Sequence, residues 1–98
     1  MLVKIHKAYR KTIAVCDVEL LGKKFEEGNM QLYVNEEFYG GEKKTEDEIV
    51  KILRREKYED SIFNLVGEKS INAGIKAGII ERECIIKIEG IPHALSLF

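Results

Sequence analysis

The chain is poor in the features that most often announce a function. Its 98 residues hold two cysteines, Cys16 and Cys84, far apart and without a CxxC spacing. That excludes a disulfide framework and a zinc ribbon, and both read as small buried residues. No run approaches the roughly 18 apolar residues of a membrane span, and the N-terminus lacks the apolar core of a signal peptide. A cytoplasmic protein with no membrane partner is expected. Neither sign of charge dominates, with 16 Lys and Arg against 17 Asp and Glu. This argues against a strongly basic nucleic-acid binder of the histone kind and leaves room only for a local patch. His6, His93, Cys16 and Cys84 contain no pair at metal-ligand spacing, so no metal is assigned and no cofactor is implied.

What the chain has in excess is charge itself. Charged residues make up 34% of it, against about 25% in ordinary soluble domains, and Glu and Lys dominate them. Such a composition is that of heat-adapted proteins, and a thermophile source is expected. The length suits one compact domain, residues 1–98, with a single core. Residues 1–24 carry net +4, residues 25–60 net −5 and residues 61–98 net 0, so a mildly basic end meets an acidic middle.

Leu2 to Ala8 alternates in polarity as a half-buried strand. Thr12-Ile13-Ala14-Val15-Cys16 is apolar on both faces, which places it mid-sheet, in a hairpin with the first strand. Asp17 is expected to cap a short helical turn ending at Gly22. Met30, Leu32 and Val34 form a third strand. Thr45-Glu46-Asp47-Glu48 fits a capping box that starts a helix from about Glu46 to Lys57. A second helix spans about Gly67 to Ala77, with Gly78 beyond its end and Gly74 inside it at a close contact. Cys84 to Glu89 reads as a fourth strand. The fold class is therefore α+β: a two-layer sandwich with a mainly antiparallel sheet of about four strands and two main helices on one face.

Phe38-Tyr39-Gly40-Gly41-Glu42 is the segment that most resembles a binding element. It pairs aromatics with a glycine pair where a loop is expected. Alternation with Leu32 and Val34 makes Phe38 the buried foot and leaves Tyr39, Gly40, Gly41 and Glu42 exposed. The segment entering the helix lacks the GxxxxGK[ST] spacing of a phosphate loop, and Glu46, Asp47 and Glu48 would repel a phosphate there. A plain turn with inward aromatics is the alternative.

Other candidates are separate in the sequence. Pro92 stiffens the backbone before His93, a candidate general base, with Asp17 or Glu42 to orient it; a hydrogen-bonded turn histidine is the commoner case. Cys16 becomes a nucleophile only if the fold brings His93 to it. Lys4, Lys7, Tyr9, Arg10 and Lys11, with His6 on the same strand, form a basic hairpin able to meet a phosphate backbone, or simply a solvated tip. Asn64 and Gly67 complete the binding candidates, Asn64 as a helix cap and Gly67 as a point of close approach. The apolar tail Leu95, Leu97 and Phe98 needs cover, from its own sheet or from a second subunit.

Val15-Cys16-Asp17 with Leu21-Gly22-Lys23, Phe25-Glu26-Glu27-Gly28, Phe38 to Glu42, Asn64 to Glu68 and Gly90-Ile91-Pro92-His93-Ala94 together resemble the small archaeal family catalogued as domain of unknown function 424. Members tend to carry Val where this chain has Ile91. The resemblance implies a compact α+β cytoplasmic archaeal protein and supplies no activity. From the residues, the leading function is an interaction module serving RNA or the translation machinery through Tyr39. A small enzyme or ligand-binding protein using His93, and a homodimer closed by the C-terminal tail, are the alternatives.

Overall fold

The structure, a computed structural model, describes residues 1–97. Strands β1 (Leu2–His6) and β2 (Thr12–Cys16) form the expected hairpin, with Leu2 opposite Cys16 and His6 opposite Thr12. Ile13, Ala14, Val15 and Cys16 are all buried. That follows from the position of β2, which pairs in parallel with β6 (Ile62–Val66) on its other side. A parallel neighbour demands a long crossover, and it carries β3 (Lys24–Glu27), β4 (Met30–Tyr33), α1 (Glu36–Tyr39), β5 (Glu42–Lys43) and α2 (Glu46–Lys57). Helix α3 (Glu68–Ala77) then leads to β7 (Ile86–Ile88) and β8 (Ile91–Leu97). The main sheet runs β5-β1-β2-β6-β8-β7, and all its pairs except β2 with β6 are antiparallel.

The class is α+β with a mainly antiparallel sheet, but the sheet has six strands rather than about four, and β3 with β4 form a separate two-stranded ribbon. Two of the extra strands escaped notice for a physical reason. Pro92 reads as a breaker, yet it sits inside β8, where its carbonyl accepts from Gly67 N–H and its missing donor leaves no acceptor orphaned, because Gly67 O already accepts from Ile71 N–H. β6 is four apolar residues broken only by Asn64, too short to show a clear period, and it runs through Gly67 directly into α3.

Both faces of the sheet are covered, unevenly. Val3, Ile13, Val15, Phe63 and Leu65 face α2 and α3, whose Ile49, Leu53, Ile71 and Ala73 complete the larger core. Thr45 and Glu48 close the capping box at the head of α2, and the Thr45 hydrogen bonds hold the Glu48 carboxyl below its ordinary value. A side-chain carbon on Gly74 would lie 2.5 Å from Leu65 Cδ1, so the expected close contact is that of α3 with β6. On the other face the ribbon, α1 and the 3₁₀ turn Val18–Leu20 bury Leu2, Cys16, Leu32, Val34 and Val66. The expected two-layer sandwich thus carries a partial third layer. It reaches Ile88 and Ile91 but ends short of the C-terminal half of β8, where Leu95 and Leu97 stay 58% and 62% exposed. Phe98, the last member of the expected tail, lies outside the described residues.

Candidate functional site

The glycine segment is built differently from its sequence pattern. Asn35 Oδ1 accepts from Phe38 N–H at 2.7 Å and caps a single helical turn, α1. A helical turn breaks the two-residue alternation, so the expected assignment is reversed: Tyr39 is only 3% exposed, while Phe38 is half-buried. Tyr39 Oη donates to Asn64 Oδ1 at 2.6 Å, and burial, followed by the nearby Cys16, raises its pKa well above the ordinary value. Tyr39 is therefore a core residue with a satisfied hydroxyl, and Asn64 is its acceptor on β6 rather than a helix cap. Tyr39→Phe should cost about 1–2 kcal/mol in urea unfolding, because it leaves the Asn64 amide oxygen short of a donor.

The basic hairpin is largely spent on the fold. Lys4 Nζ donates to Glu37 O at 2.6 Å, and His6 Nε2 donates to Phe38 O at 2.8 Å while its ring stacks on Phe38. These cover carbonyls at the C-terminal end of α1 that have no helical partner. Arg10 donates to Asp60 at the backbone and the carboxylate, and Lys11 to the buried Glu56 at 3.2 Å. Lys7 and Tyr9 remain exposed at the turn. An expected phosphate-binding row of five residues thus has three of its cations turned toward partners within the chain.

Asp17 does not cap the turn that follows it. Its buried carboxylate crosses to the head of α3 and accepts from Lys69 N–H at 3.1 Å, Ser70 N–H at 2.8 Å and Ser70 Oγ at 2.8 Å. Gly67 makes this possible. Its φ of +105° belongs to glycine, and a side-chain carbon there would lie 2.3 to 2.7 Å from the Asp17 carboxylate. A cleft of about 210 Å³ opens beside Asp17, Gly67, Gly90 and Pro92, but the carboxylate that faces it is already committed to the helix.

His93, Asp17 and Glu42, the residues for acid–base chemistry, occupy three different places. His93 Nδ1 donates to Leu65 O at 3.0 Å, which fixes the neutral tautomer with Nε2 unprotonated. Glu42 pairs with Lys44 at 3.3 Å on the far sheet edge, and Asp17 serves α3. The orienting carboxylate a histidine base requires is supplied by neither candidate. Cys16 lies on the same sheet face as His93, two strands away. Its thiol is pushed up to about 11 by burial and by Asp17, so it is not a thiolate nucleophile. Among the described residues no group of three or more His, Cys, Asp or Glu is placed to hold a metal.

Burial lowers the His93 pKa, and the bond to Leu65 opposes this only in part. The unfolded chain therefore binds a proton that the folded chain resists, so stability rises with pH through this window. As pH falls from above the ordinary value of 6.5 toward the depressed folded value, stability should drop. In paired urea titrations, His93→Gln should lack this component.

A larger concavity of about 730 Å³ lies between β1 and α2. Val3, Ile5 and Ile52 give it an apolar floor, Gly41 and Glu42 form one wall, and Lys44, Lys51, Arg55 and Glu48 stand around it, while Lys4 borders it with its ammonium turned away to Glu37 O. Gly41 is required for the wall, since a side-chain carbon there would lie 1.9 Å from Val3 O. The adjacent sheet edge is only half closed. β5 pairs with Leu2 and Val3 alone, and Met1 O accepts from Lys44 N–H. Alternation then directs the backbone groups of Ile5 toward the groove. Lys44, Lys51 and Arg55 were not singled out from the sequence, although Lys51, Ile52 and Arg55 mark one border of the amphipathic α2.

Of the expected binding residues, Gly41 and Glu42 line this groove, and Gly67 lines the small cleft. Gly40 ends α1, its N–H donating to Glu36 O. Tyr39, Asn64 and His93 share the sheet face opposite the long helices.

No helix among the described residues is long and apolar enough to cross a membrane. No curated protein matches the chain. An uncharacterised conserved protein from Methanopyrus kandleri has a similar crystal structure, with a TM-score of 0.85 and 28% identity over 98% of this chain and 89% of that one. The family described as "protein of unknown function (DUF424)" matches residues 6–97, nearly the whole length, and the chain belongs to it.

Proposed function

We propose that this protein is a cytoplasmic interaction module that takes an extended acidic peptide segment into the groove between β1 and α2. The observation that carries this reading is the groove itself, with an apolar floor, an open strand edge and the cations Lys44, Lys51 and Arg55 against two carboxylates. Glu48 is engaged with Thr45, Glu42 with Lys44 and Arg55 with Glu56, and three cations against two carboxylates leave the groove a small positive excess for an anionic guest. Strand addition supplies backbone hydrogen bonds, and alternate side chains of the guest then meet the floor and the cations. A peptide is preferred to RNA because no aromatic among the described residues lines the groove for base stacking and because much of the basic hairpin is turned inward. This replaces Tyr39 as the anchor and keeps the glycine loop as a wall of the site.

The test uses a fluorescent peptide of alternating Val and Glu. Binding should weaken with added salt, and Lys44→Glu with Lys51→Glu should lower affinity by about tenfold or more. Lys87→Glu, on β7 at the opposite edge, should change it little. Equal affinity for all three proteins, or preference for a single-stranded RNA probe, would defeat the reading.

A further inference from the structure

The sheet has two edges. At the first, the two-residue β5, Glu42 and Lys43, covers only Leu2 and Val3 of β1 and leaves the edge open at Ile5, beside the groove. At the second, β7 covers β8 only along Ile91 to His93. Beyond His93 the outer side of β8 has no strand neighbour among the described residues.

The direction of the backbone groups there is fixed by the ladder. Pro92 O accepts from Gly67 N–H on the β6 side, so Pro92, Ala94 and Ser96 face β6 and the intervening residues face outward. β7 takes up His93, which leaves the N–H and C=O groups of Leu95 and Leu97 pointing away from the sheet. Their side chains stand on the face opposite α2 and α3, where both are mostly exposed. Ile62 lies opposite Leu97 in β6, and Ile86 opposite His93 in β7. An exposed apolar patch thus adjoins an unsatisfied strand edge.

We infer that this edge pairs with the same edge of a second copy, joining two six-stranded sheets into one of twelve about a two-fold axis beside Ser96. Charge selects this occupant. In a two-fold antiparallel pair, the strand faces its own copy, so a charge near the axis is brought close to the same charge of the copy. Residues 91–97, Ile-Pro-His-Ala-Leu-Ser-Leu, hold no Asp, Glu, Lys or Arg. The outward positions also select the register. Leu95 opposite Leu97 of the second copy, and the reverse, satisfies every outward group of both residues and leaves β7 in place. The four leucines then form one cluster on the shared face. The surface is remote from the groove beside β1, and the inference stands independently of the groove reading.

Sedimentation equilibrium at micromolar to millimolar concentration tests it. The wild type should be dimeric. L95K with L97K, and separately L95E with L97E, should each dissociate it by roughly a hundredfold in dissociation constant. Because position 95 meets position 97 across the axis, mixing the two variants should restore a one-to-one dimer. Circular dichroism checks that each variant is folded, and recovery in the mixture is itself evidence of folding. A monomeric wild type, or variants that remain as dimeric as the wild type, would overturn the inference. Folded variants that fail to associate on mixing would overturn the register.

Discussion

Gly67→Ala should lower the free energy of unfolding by about 3–5 kcal/mol, measured by urea denaturation. Two separate costs contribute. A φ of +105° with ψ of 155° lies in a region held almost only by glycine, which costs about 1–3 kcal/mol for any other residue. The added carbon would also overlap the Asp17 carboxylate, which cannot retreat without lengthening its bonds to Lys69 and Ser70. Against the 5–15 kcal/mol of a typical domain this is a large share. A loss below about 1 kcal/mol would show that the junction is softer than its geometry implies.

Asp17→Ala should cost about 3 kcal/mol, from a different source. The truncation leaves two backbone N–H groups and the Ser70 hydroxyl without their acceptor, the hydroxyl in a fully buried side chain, and it removes the negative charge that complements the α3 dipole. Asp17→Asn keeps one acceptor oxygen and should lose less. The two sites must also couple. Removing the carboxylate frees the space that an alanine at position 67 needs, so the double variant should lose clearly less than the sum of the single losses. Additive losses would mean that Asp17 and Gly67 act separately, contrary to their contact.

The contrast between this junction and the capping box at Thr45 explains what the sequence could and could not disclose. Thr45 and Glu48 lie three residues apart, and a local rule finds them. Asp17 and Ser70 lie 53 residues apart, and nothing near Asp17 says that its partner is another helix. The same division runs through the strands. β1 and β2 are joined by a short turn and show clear patterns, whereas β6 and β8 depend on each other and on β2. Tyr39 failed for a third reason. The strand period of Leu32 and Val34 stops at Asn35, which caps one helical turn and so brings Tyr39 rather than Phe38 to the core. The groove was half legible, since its glycine wall stood out, but its cations come from α2 and become a surface only when α2 lies beside β1.

Amide chemical-shift mapping with the alternating Val and Glu peptide tests the central claim most directly. The groove reading predicts that the perturbed amides cluster at Ile5, Gly41, Glu42, Lys51, Ile52 and Arg55, around the cavity that these residues line. Perturbations centred on Gly67, Gly90 and His93, or none at a peptide concentration that saturates comparable strand-addition sites, would contradict it.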